Sequence, residues 1–448
     1  MDFSFSGIAL EYVYTIVALL VVWVTLHTLR NEHSLKKHLI VWFFTGFVFN
    51  LFSFSFFYTA YPLIWLPTFW QLPAIAFFHI ILSFTAGLFF PFIGYVHFRF
   101  RAQKNWLPLY IGLAGTLAEI MRSIAITTLL YTQGSSSVGL HWSSGTFGNA
   151  LAVTPFVEFV YFGGIYTLCG LFFMFATVLY FKDKKNIFTY FSITTLLLIG
   201  VHFFVRVHLP QKEGTIALIS LESHTSDATS TLYTKQKDTV ISLVATSYPN
   251  MKSDMLVLPE DTRFISNLTE KDKRVLTSLG VQTVIDGEPI IHLSRLSNYS
   301  YVYSLPTNTL EGRGKWFLFP FNEYPPTLFT KILSLWFNPN EIKTYTHEHR
   351  YLIGKPPVSF SAQYGKVGTL LCSEMFSHES IIQLKKNDTD VTILQSHLPV
   401  FHKSSWLFMQ YYLISRVIAA QTRTYLIVSS KDAPPLLVSP YGKILFNG

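Results

Sequence analysis

Three short segments of the sequence end in residues able to make and break bonds. The run MLVLPED (255–261) presents Glu260 directly after a proline. The run GKWFLFPFNE (314–323) presents Lys315 and, eight residues on, Glu323. The run KVGTLLCSE (366–374) is small and apolar until it reaches Cys372, Ser373 and Glu374. A carboxylate, an ammonium and a thiol of this kind make an activated nucleophile when they meet. The carboxylate takes the thiol proton, and the ammonium supports both the thiolate and the oxyanion formed on attack. Taken singly each has a plainer reading: Pro-Glu as a turn, Lys315 as a surface charge, and Cys372 as a small buried apolar residue.

The elements that would have to position these groups are legible around them. Strand-like runs fall at 215–221, 255–260, 281–287, 301–306, 366–372, 391–396 and 424–430, with helical segments at roughly 227–248, 270–279 and 404–421. Strands alternating with helices predict an α/β domain. In such folds reactive side chains sit at strand ends, where the sheet fixes the backbone and the loop exposes the group. No GxGxxG, P-loop or HExxH pattern occurs. His347 and His349 share a polar loop but lack ligand spacing, so neither a metal nor another cofactor is expected.

The first half of the chain is different. Only 13% of the 448 residues are charged, against about 25% in soluble domains, and the deficit lies before Arg206. A bilayer core needs about 20 apolar residues per helix. Six stretches meet this, approximately 8–29, 39–58, 72–96, 106–131, 156–180 and 187–205. The loops between them alternate in charge. RNEHSLKKH, HFRFRAQKN and FKDKKN are basic, while TAYPLIWLPTFWQ and the segment 132–155 carry no Lys or Arg. By the positive-inside rule the basic loops face the cytoplasm and the second half lies outside. This predicts a membrane domain over 1–206 and an extracytoplasmic domain over 207–448. Much of the net charge of +8 falls in these loops, so it does not indicate nucleic acid.

Two consequences follow. The outer half holds one cysteine, Cys372, in an oxidising compartment where it has no internal disulfide partner; the other, Cys169, lies in an apolar span. Within the fourth span Glu119 and Arg122 are three apart, share a helix face and can neutralise each other, which predicts a packing pair. Trp65, Trp70 and Trp142 in the neutral loops suit belt anchors at the membrane interface.

The three chemical segments resemble the nitrilase, or carbon-nitrogen hydrolase, superfamily, whose members carry a Glu-Lys-Cys triad on a four-layer αββα sandwich. LVLPED is similar to the family's Pro-Glu segment. KWFLFPFNEYP resembles the pattern K-x-x-L-x-P-F-G-E-x-x-P, with Asn322 in place of glycine, and GTLLCSE resembles the nucleophile segment. A polytopic bundle ahead of that domain resembles the apolipoprotein N-acyltransferase branch. NWLPLYIGLAGTLAEIMRS is similar to that branch's Trp…Glu-x-x-Arg span, and YFGGIYTLCGLFF to its Gly-containing span. The chain departs from the branch in having six apolar stretches rather than eight. It also departs at LESHTSD, QSHLPVFHK and SSKDAPP, which stand where the branch has pocket-shaping segments.

The resemblance implies an acyltransferase in a bacterial cytoplasmic (inner) membrane, with its catalytic domain on the periplasmic side. Glu260, Lys315 and Cys372 would be the triad, and the Ser373 N–H would join the oxyanion site. Glu323 would position Lys315 or an amine, and Glu374 would hold the loop after the nucleophile. The implied partners are a phospholipid acyl donor and a diacylglyceryl lipoprotein acceptor, with no cofactor and a monomeric enzyme. Two alternatives are a membrane-tethered amidase and an inactive lipid- or lipoprotein-binding homologue.

Overall fold

A computed structural model describes residues 3–60, 68–181, 184–205, 207, 216–218, 230–247, 254–292, 295–335, 351–362, 365–401 and 404–447. His347, His349, Trp65 and the LESHTSD segment lie outside the described residues. The chain forms two compact units. One comprises Met1–Leu129, Val138–Val207 and Val400–Arg423, the other Leu130–Ser137, His208–Pro399 and Thr424–Gly448. The sequence reading placed all of 207–448 in one domain. By packing, the segment 400–423 belongs with the helical unit and 130–137 with the other.

The helical unit holds α1 (Phe3–Thr28), α2 (Leu35–Ser53), α3 (Thr68–Gly87), α4 (Pro91–Phe100), α5 (Leu107–Leu129), α6 (Val160–Gly163), α7 (Ile165–Phe181) and α8 (Lys184–Phe204). Among the described residues four stretches are long and apolar enough to cross a membrane: Glu11–Thr28, Leu35–Thr59, Thr68–Phe100 and Leu107–Leu129. The other two apolar helices, Ile165–Phe181 and Phe188–Phe203, are shorter. The fifth stretch is cut by Gly164, whose φ of 63° and ψ of −153° suit glycine and end α6. Its first turns are a 3-10 segment over Pro155–Phe159.

The neutral segment after α5 does not remain at the surface. Residues 141–150 are buried, and the Glu119–Arg122 pair binds them. Arg122 Nε lies 2.5 Å from Glu119 Oε2, and its guanidinium donates to the Ser144 carbonyl at 3.2 Å and to Asn50 Oδ1 at 3.3 Å. Glu119 Oε1 accepts the Phe147 N–H at 3.1 Å. The pair is fully buried, and these hydrogen bonds offset the desolvation that makes a lone buried charge costly. Trp142, expected as a belt anchor, is also buried here, while Trp70 is half-buried. In this unit the backbone of a buried non-helical stretch is satisfied by a charge pair on α5, as a water-free interior requires.

The second unit holds two sheets. The first has strand order β1-β2-β3-β4-β5, with β1 (Ile216–Leu218), β2 (Met255–Val257), β3 (Thr283–His292), β4 (Arg295–Ser304) and β5 (Thr309–Gly314). The second has order β11-β10-β9-β8-β7-β6, with β6 (Ser359–Ala362), β7 (Gly365–Leu371), β8 (Val391–His397), β9 (Tyr425–Lys431), β10 (Leu436–Val438) and β11 (Ile444–Asn447). In each sheet three neighbouring strands are parallel, β1-β2-β3 and β7-β8-β9. The sheets face each other across an apolar core of Met255, Val257, Ile285 and Val302 against Val367, Ile393 and Ile427. Outside the first sheet, α9 (Ser230–Ser247) and α10 (Glu270–Ser278) cover Leu256, Val284 and Tyr303. Outside the second, Leu384 of α12 (His378–Lys386) lies where a Cβ on Gly368 would stand, 2.8 Å away. The unit is thus the helix–sheet–sheet–helix sandwich. One short helix, α11 (Thr327–Leu333), follows the Glu323 loop. The remaining helix, α13 (Ser405–Thr422), joins β8 to β9 in the chain but packs in the helical unit.

Candidate active site

The parallel strands β2 and β7 both run toward the same chemistry. After β2, Leu258 still donates its N–H to Ile285 O at 2.9 Å, and Pro259 then turns the chain so that Glu260 leaves the sheet. The turn is fixed by Thr262, whose hydroxyl donates to Pro259 O at 2.7 Å and whose N–H donates to Gly287 O at 2.9 Å. Gly287 is required by close approach: a Cβ there would stand 2.9 Å from Glu260 Cα. On the opposite sheet Gln395 of β8 reaches across. Its amide donates to Leu258 O at 2.8 Å and accepts the Ser300 hydroxyl at 2.6 Å.

Lys315 follows β5 by one residue, and its backbone is held on both sides. Its N–H donates to Asn298 O at 2.7 Å, and its carbonyl accepts from Gly354 N at 2.7 Å. A Cβ on Gly354 would come within 2.2 Å of the Gly314 backbone, so only glycine lets this segment approach. The Lys315 ammonium donates to Glu323 Oε1 at 2.8 Å and stands 3.4 Å from Glu260 Oε1. Asn298 completes the bridge, its amide donating to Glu260 Oε1 at 3.1 Å and to Glu323 Oε1 at 2.6 Å. The other Glu323 oxygen accepts the Phe319 N–H at 2.5 Å. All three charged side chains are at least nine-tenths buried, Lys315 at 2% exposure and each carboxylate at 4%.

Two carboxylates and one ammonium in a buried site leave an excess of negative charge, and the ionisation of the group follows from that. Burial pushes the Glu260 carboxyl up to about 7; Lys315 pulls against this and Glu323 adds to it. Burial alone would lower Lys315, but the Glu260 and Glu323 carboxylates outweigh it and raise its pKa. Lys315 is therefore a permanent cation across the physiological range.

Cys372 directly follows β7 and takes a left-handed conformation, with φ of 41°. This backbone is costly for a residue with a side chain and recurs where a group must be aimed out of a sheet. Its thiol interacts electrostatically with Lys315, Glu260 and Glu323, and Sγ donates to His397 O at 3.9 Å. Burial pushes the thiol up to about 12, and Lys315 draws it back only in part. The resting residue is a protonated thiol. It becomes a nucleophile only when a base takes that proton.

The two residues after Cys372 point away from the charged group. Ser373 Oγ donates to Phe317 O at 2.6 Å. Glu374 is fully buried and forms a fork with Arg313, one arm at 2.9 Å between Nη1 and Oε1 and a second between Nη2 and Oε2. It also accepts the Trp316 and Leu371 N–H groups, each at 2.7 Å. Glu374 thus ties the β7 turn to the segment that carries Lys315. The structure brings Glu260, Lys315, Glu323 and Cys372 together and sets Ser373 and Glu374 beneath them. Glu119 and Arg122 belong to the helical unit.

Asn298, Arg313 and His397 were not singled out from sequence. Arg313 had a signal in the string EGRGK, where a cation two residues before Lys315 falls on the same face of the strand and is flanked by glycines on the other. Asn298 and His397 had none, because their roles come from cross-strand pairing and from the two sheets facing each other. Among the described residues no group of three or more His, Cys, Asp or Glu side chains is arranged to hold a metal.

No protein-family model and no curated protein matches the sequence. Solved structures similar to the chain include an amidase from Nesterenkonia sp., 13% identical, covering 55% of this chain and 88% of that one with a TM-score of 0.36. A Saccharomyces cerevisiae member of branch 10 of the nitrilase superfamily is 15% identical over 52% of this chain and 84% of its own, with a TM-score of 0.37. A CN-hydrolase superfamily protein from Xanthomonas campestris, solved with an arsenic adduct in its active site, is 12% identical over 52% and 85%, with a TM-score of 0.37.

Proposed function

We propose that the protein is a cysteine-dependent acyltransferase that moves a fatty acyl chain from a membrane phospholipid to the α-amino group of a diacylglyceryl-cysteine at a lipoprotein N-terminus. The observation that carries this reading is the buried Glu260–Lys315–Glu323 cluster beside the Cys372 thiol, in a chain whose other unit bears, among the described residues, four helical stretches of membrane-spanning length. A nucleophile of this type forms acyl-enzymes, and membrane-length helices in the same chain favour lipid substrates over soluble ones. The reading places the protein in a bacterial inner membrane with the sandwich on the periplasmic side.

In the first half-reaction Glu260 takes the Sγ proton and the sulfur attacks the ester carbonyl. Lys315 and the Ser373 N–H stabilise the oxyanion, each such donor being worth about 3–4 kcal/mol. Collapse expels the lysophospholipid alkoxide, which leaves with the proton held by Glu260, and a thioester remains on Cys372. In the second half-reaction the lipoprotein amine attacks the thioester. Glu260 takes the amine proton, an amide forms, and Cys372 leaves as thiolate and regains the proton. Glu323 holds Lys315, and Asn298 keeps the two carboxylates in register.

The test is the intact mass of the purified full chain after incubation with phospholipid vesicles, beside Cys372→Ala. A hydroxylamine-labile fatty-acyl adduct on the wild type alone is expected. Folded protein that never acquires one would overturn the lipid reading. Release of ammonia from short amides by that same protein would then identify a membrane-tethered amidase, with water as second acceptor. Inertness in both assays would identify a binding protein.

A further inference from the structure

The loop that carries Glu323 is closed on itself at one end. Glu323 N–H donates to Phe319 O at 3.0 Å, and Phe321 N–H donates to Tyr324 O at 2.7 Å. Phe321 lies in the left-handed region, with φ of 68°, a conformation that persists only where surrounding contacts enforce it. Beyond Tyr324 come Pro325 and Pro326, which have no N–H to donate. This end of the loop can be tied only through its carbonyls, or through the next N–H, that of Thr327.

Both ties are made by one turn. The turn 131–136 belongs to the sandwich unit, although it follows α5 in the chain. It is braced internally: Thr132 O accepts the Ser135 and Ser136 N–H groups at 3.1 and 3.0 Å, and the Thr132 N–H donates to Ser136 Oγ at 2.7 Å. The Thr132 hydroxyl donates to Pro325 O at 2.9 Å and accepts the Thr327 hydroxyl at 3.3 Å. Tyr131 O accepts the Thr327 N–H at 3.2 Å. On its other side the Ser135 hydroxyl donates to Tyr351 O at 3.2 Å, and the Tyr351 N–H donates to Glu323 O at 2.9 Å. The same segment holds Lys315 through Gly354. Thr132 and Ser135 are both buried, so loss of either hydroxyl leaves a carbonyl short of its donor. Lys315, Asn298 and the Phe319 N–H bind the Glu323 carboxylate itself; the turn binds the chain that carries it.

We infer that Thr132 and Ser135 are positioning residues that keep the Glu323 carboxylate on the Lys315 ammonium, by clamping its loop at Pro325 and at Tyr351. This deepens the acyl-transfer reading and rests on its assignment of Glu260 as the base. Lys315 is closer to Glu323, at 2.8 Å, than to Glu260, at 3.4 Å. A Glu323 that drifts takes a negative charge away from Glu260 and frees Lys315 to close on it. Both changes make the Glu260 carboxyl more acidic, while Asp261 continues to raise it. The clamp therefore sets the pH at which the base is lost, as well as the rate.

The experiment follows alkylation of Cys372 by iodoacetamide against pH in the detergent-solubilised full chain, read by mass, with Cys372→Ala as blank. The variants are Thr132→Val, which keeps the shape and loses the hydroxyl, Thr132→Ser, which keeps the hydroxyl, and Ser135→Ala. Each is made in the wild type and in Glu323→Gln. A misplacement of about 1 Å costs on the order of a hundredfold in rate, so the Val and Ala variants should alkylate about tenfold more slowly or worse. Their acid limb should move to lower pH, and Thr132→Ser should keep both rate and limb close to wild type. In Glu323→Gln neither variant should move the limb further, since the clamp acts through Glu323. A slower rate with an unmoved limb, a limb shift that persists in Glu323→Gln, or a Thr132→Ser as impaired as Thr132→Val would overturn the clamp. Should Thr132→Val fail to fold, Ser135→Ala decides by the same limb and the same background. If the limbs move as expected yet the wild type never gains an acyl chain from phospholipid, the lipid reading fails and the clamp stands. An acyl adduct on the wild type with unmoved limbs in the variants gives the reverse.

Discussion

Glu260 must be ionised to take a proton, and the site holds its carboxyl at about 7 rather than at its ordinary 4.5. Burial is the chief cause, and the Glu323 charge adds to it against the pull of Lys315. The sign of the pH effect follows. Acylation of Cys372 should be flat above about 7 and fall roughly tenfold per unit below it, as the base is lost to protonation. Replacing Glu323 by Gln removes one of the charges that raise Glu260, so the acid limb should move to lower pH while the maximal rate drops. A rate–pH profile of adduct formation for both proteins checks this, and an unmoved or raised limb would refute the assignment of Glu260 as base. The same shift bears on stability. A carboxyl whose folded pKa is raised favours the fold most below 4.5, and that contribution is lost as pH rises through about 7. Activity and stability therefore pull in opposite directions at this residue.

At the scale of elements, the turn after β7 is held less by its own backbone than by Glu374. Both carboxylate oxygens are spent, on the Arg313 fork and on the N–H groups of Trp316 and Leu371. Removing one partner of such a buried pair leaves the other charged and unpaired, at a cost of ~3–5 kcal/mol. Arg313→Met should cost that much in chemical denaturation of the sandwich unit, as should Glu374→Leu. The double variant should cost less than the sum of the two, and strict additivity would show that the fork is not the link described. This tie explains what could be read in the sequence and what could not. The strand runs ending in Glu260 and Cys372 announced themselves, because a buried parallel strand is a continuous apolar run and its last residue is conspicuous. The strands 309–314, 359–362 and 436–438 did not, because each is short and lies toward the outer side of its sheet, where composition carries little signal. Glu374 was legible as a loop holder. Its partner Arg313 stood out locally only as a cation between glycines; that it meets Glu374 depends on β5 and the β7 turn coming together, which no local pattern encodes.

For the whole molecule, the helix Ser405–Thr422 carries the main lesson. Its place between β8 and β9 reads as the ordinary crossover of a parallel pair, and its pattern gives no sign that it packs elsewhere. Yet Met409, Leu413, Val417 and Ala420 belong to the apolar core of the helical unit. Its polar residues are spent there as well. Gln410 donates to Ser53 O at 2.7 Å and accepts the Ser144 hydroxyl at 2.7 Å. The Arg416 guanidinium meets Glu11 at 3.1 Å, and the Arg423 guanidinium meets Glu158 at 2.9 Å. Division of the chain after Val207 thus leaves this helix without the surface that buries it. Each apolar side chain so exposed forfeits about 1.5–3 kcal/mol, and two arginines lose their carboxylates. Residues 208–448 expressed alone should aggregate, and co-expression of residues 1–207 should return them to a soluble detergent complex that elutes as one species. Equal amounts of folded, monodisperse 208–448 with and without the first half, by size exclusion and circular dichroism, would show that the helix can find another seat. The strands on either side of it, β8 with His397 and β9 with Lys431, would then owe nothing to the bundle. Recovery of soluble, monodisperse protein only in the presence of the first half would show that the apolar core of the helical unit is the seat this helix requires.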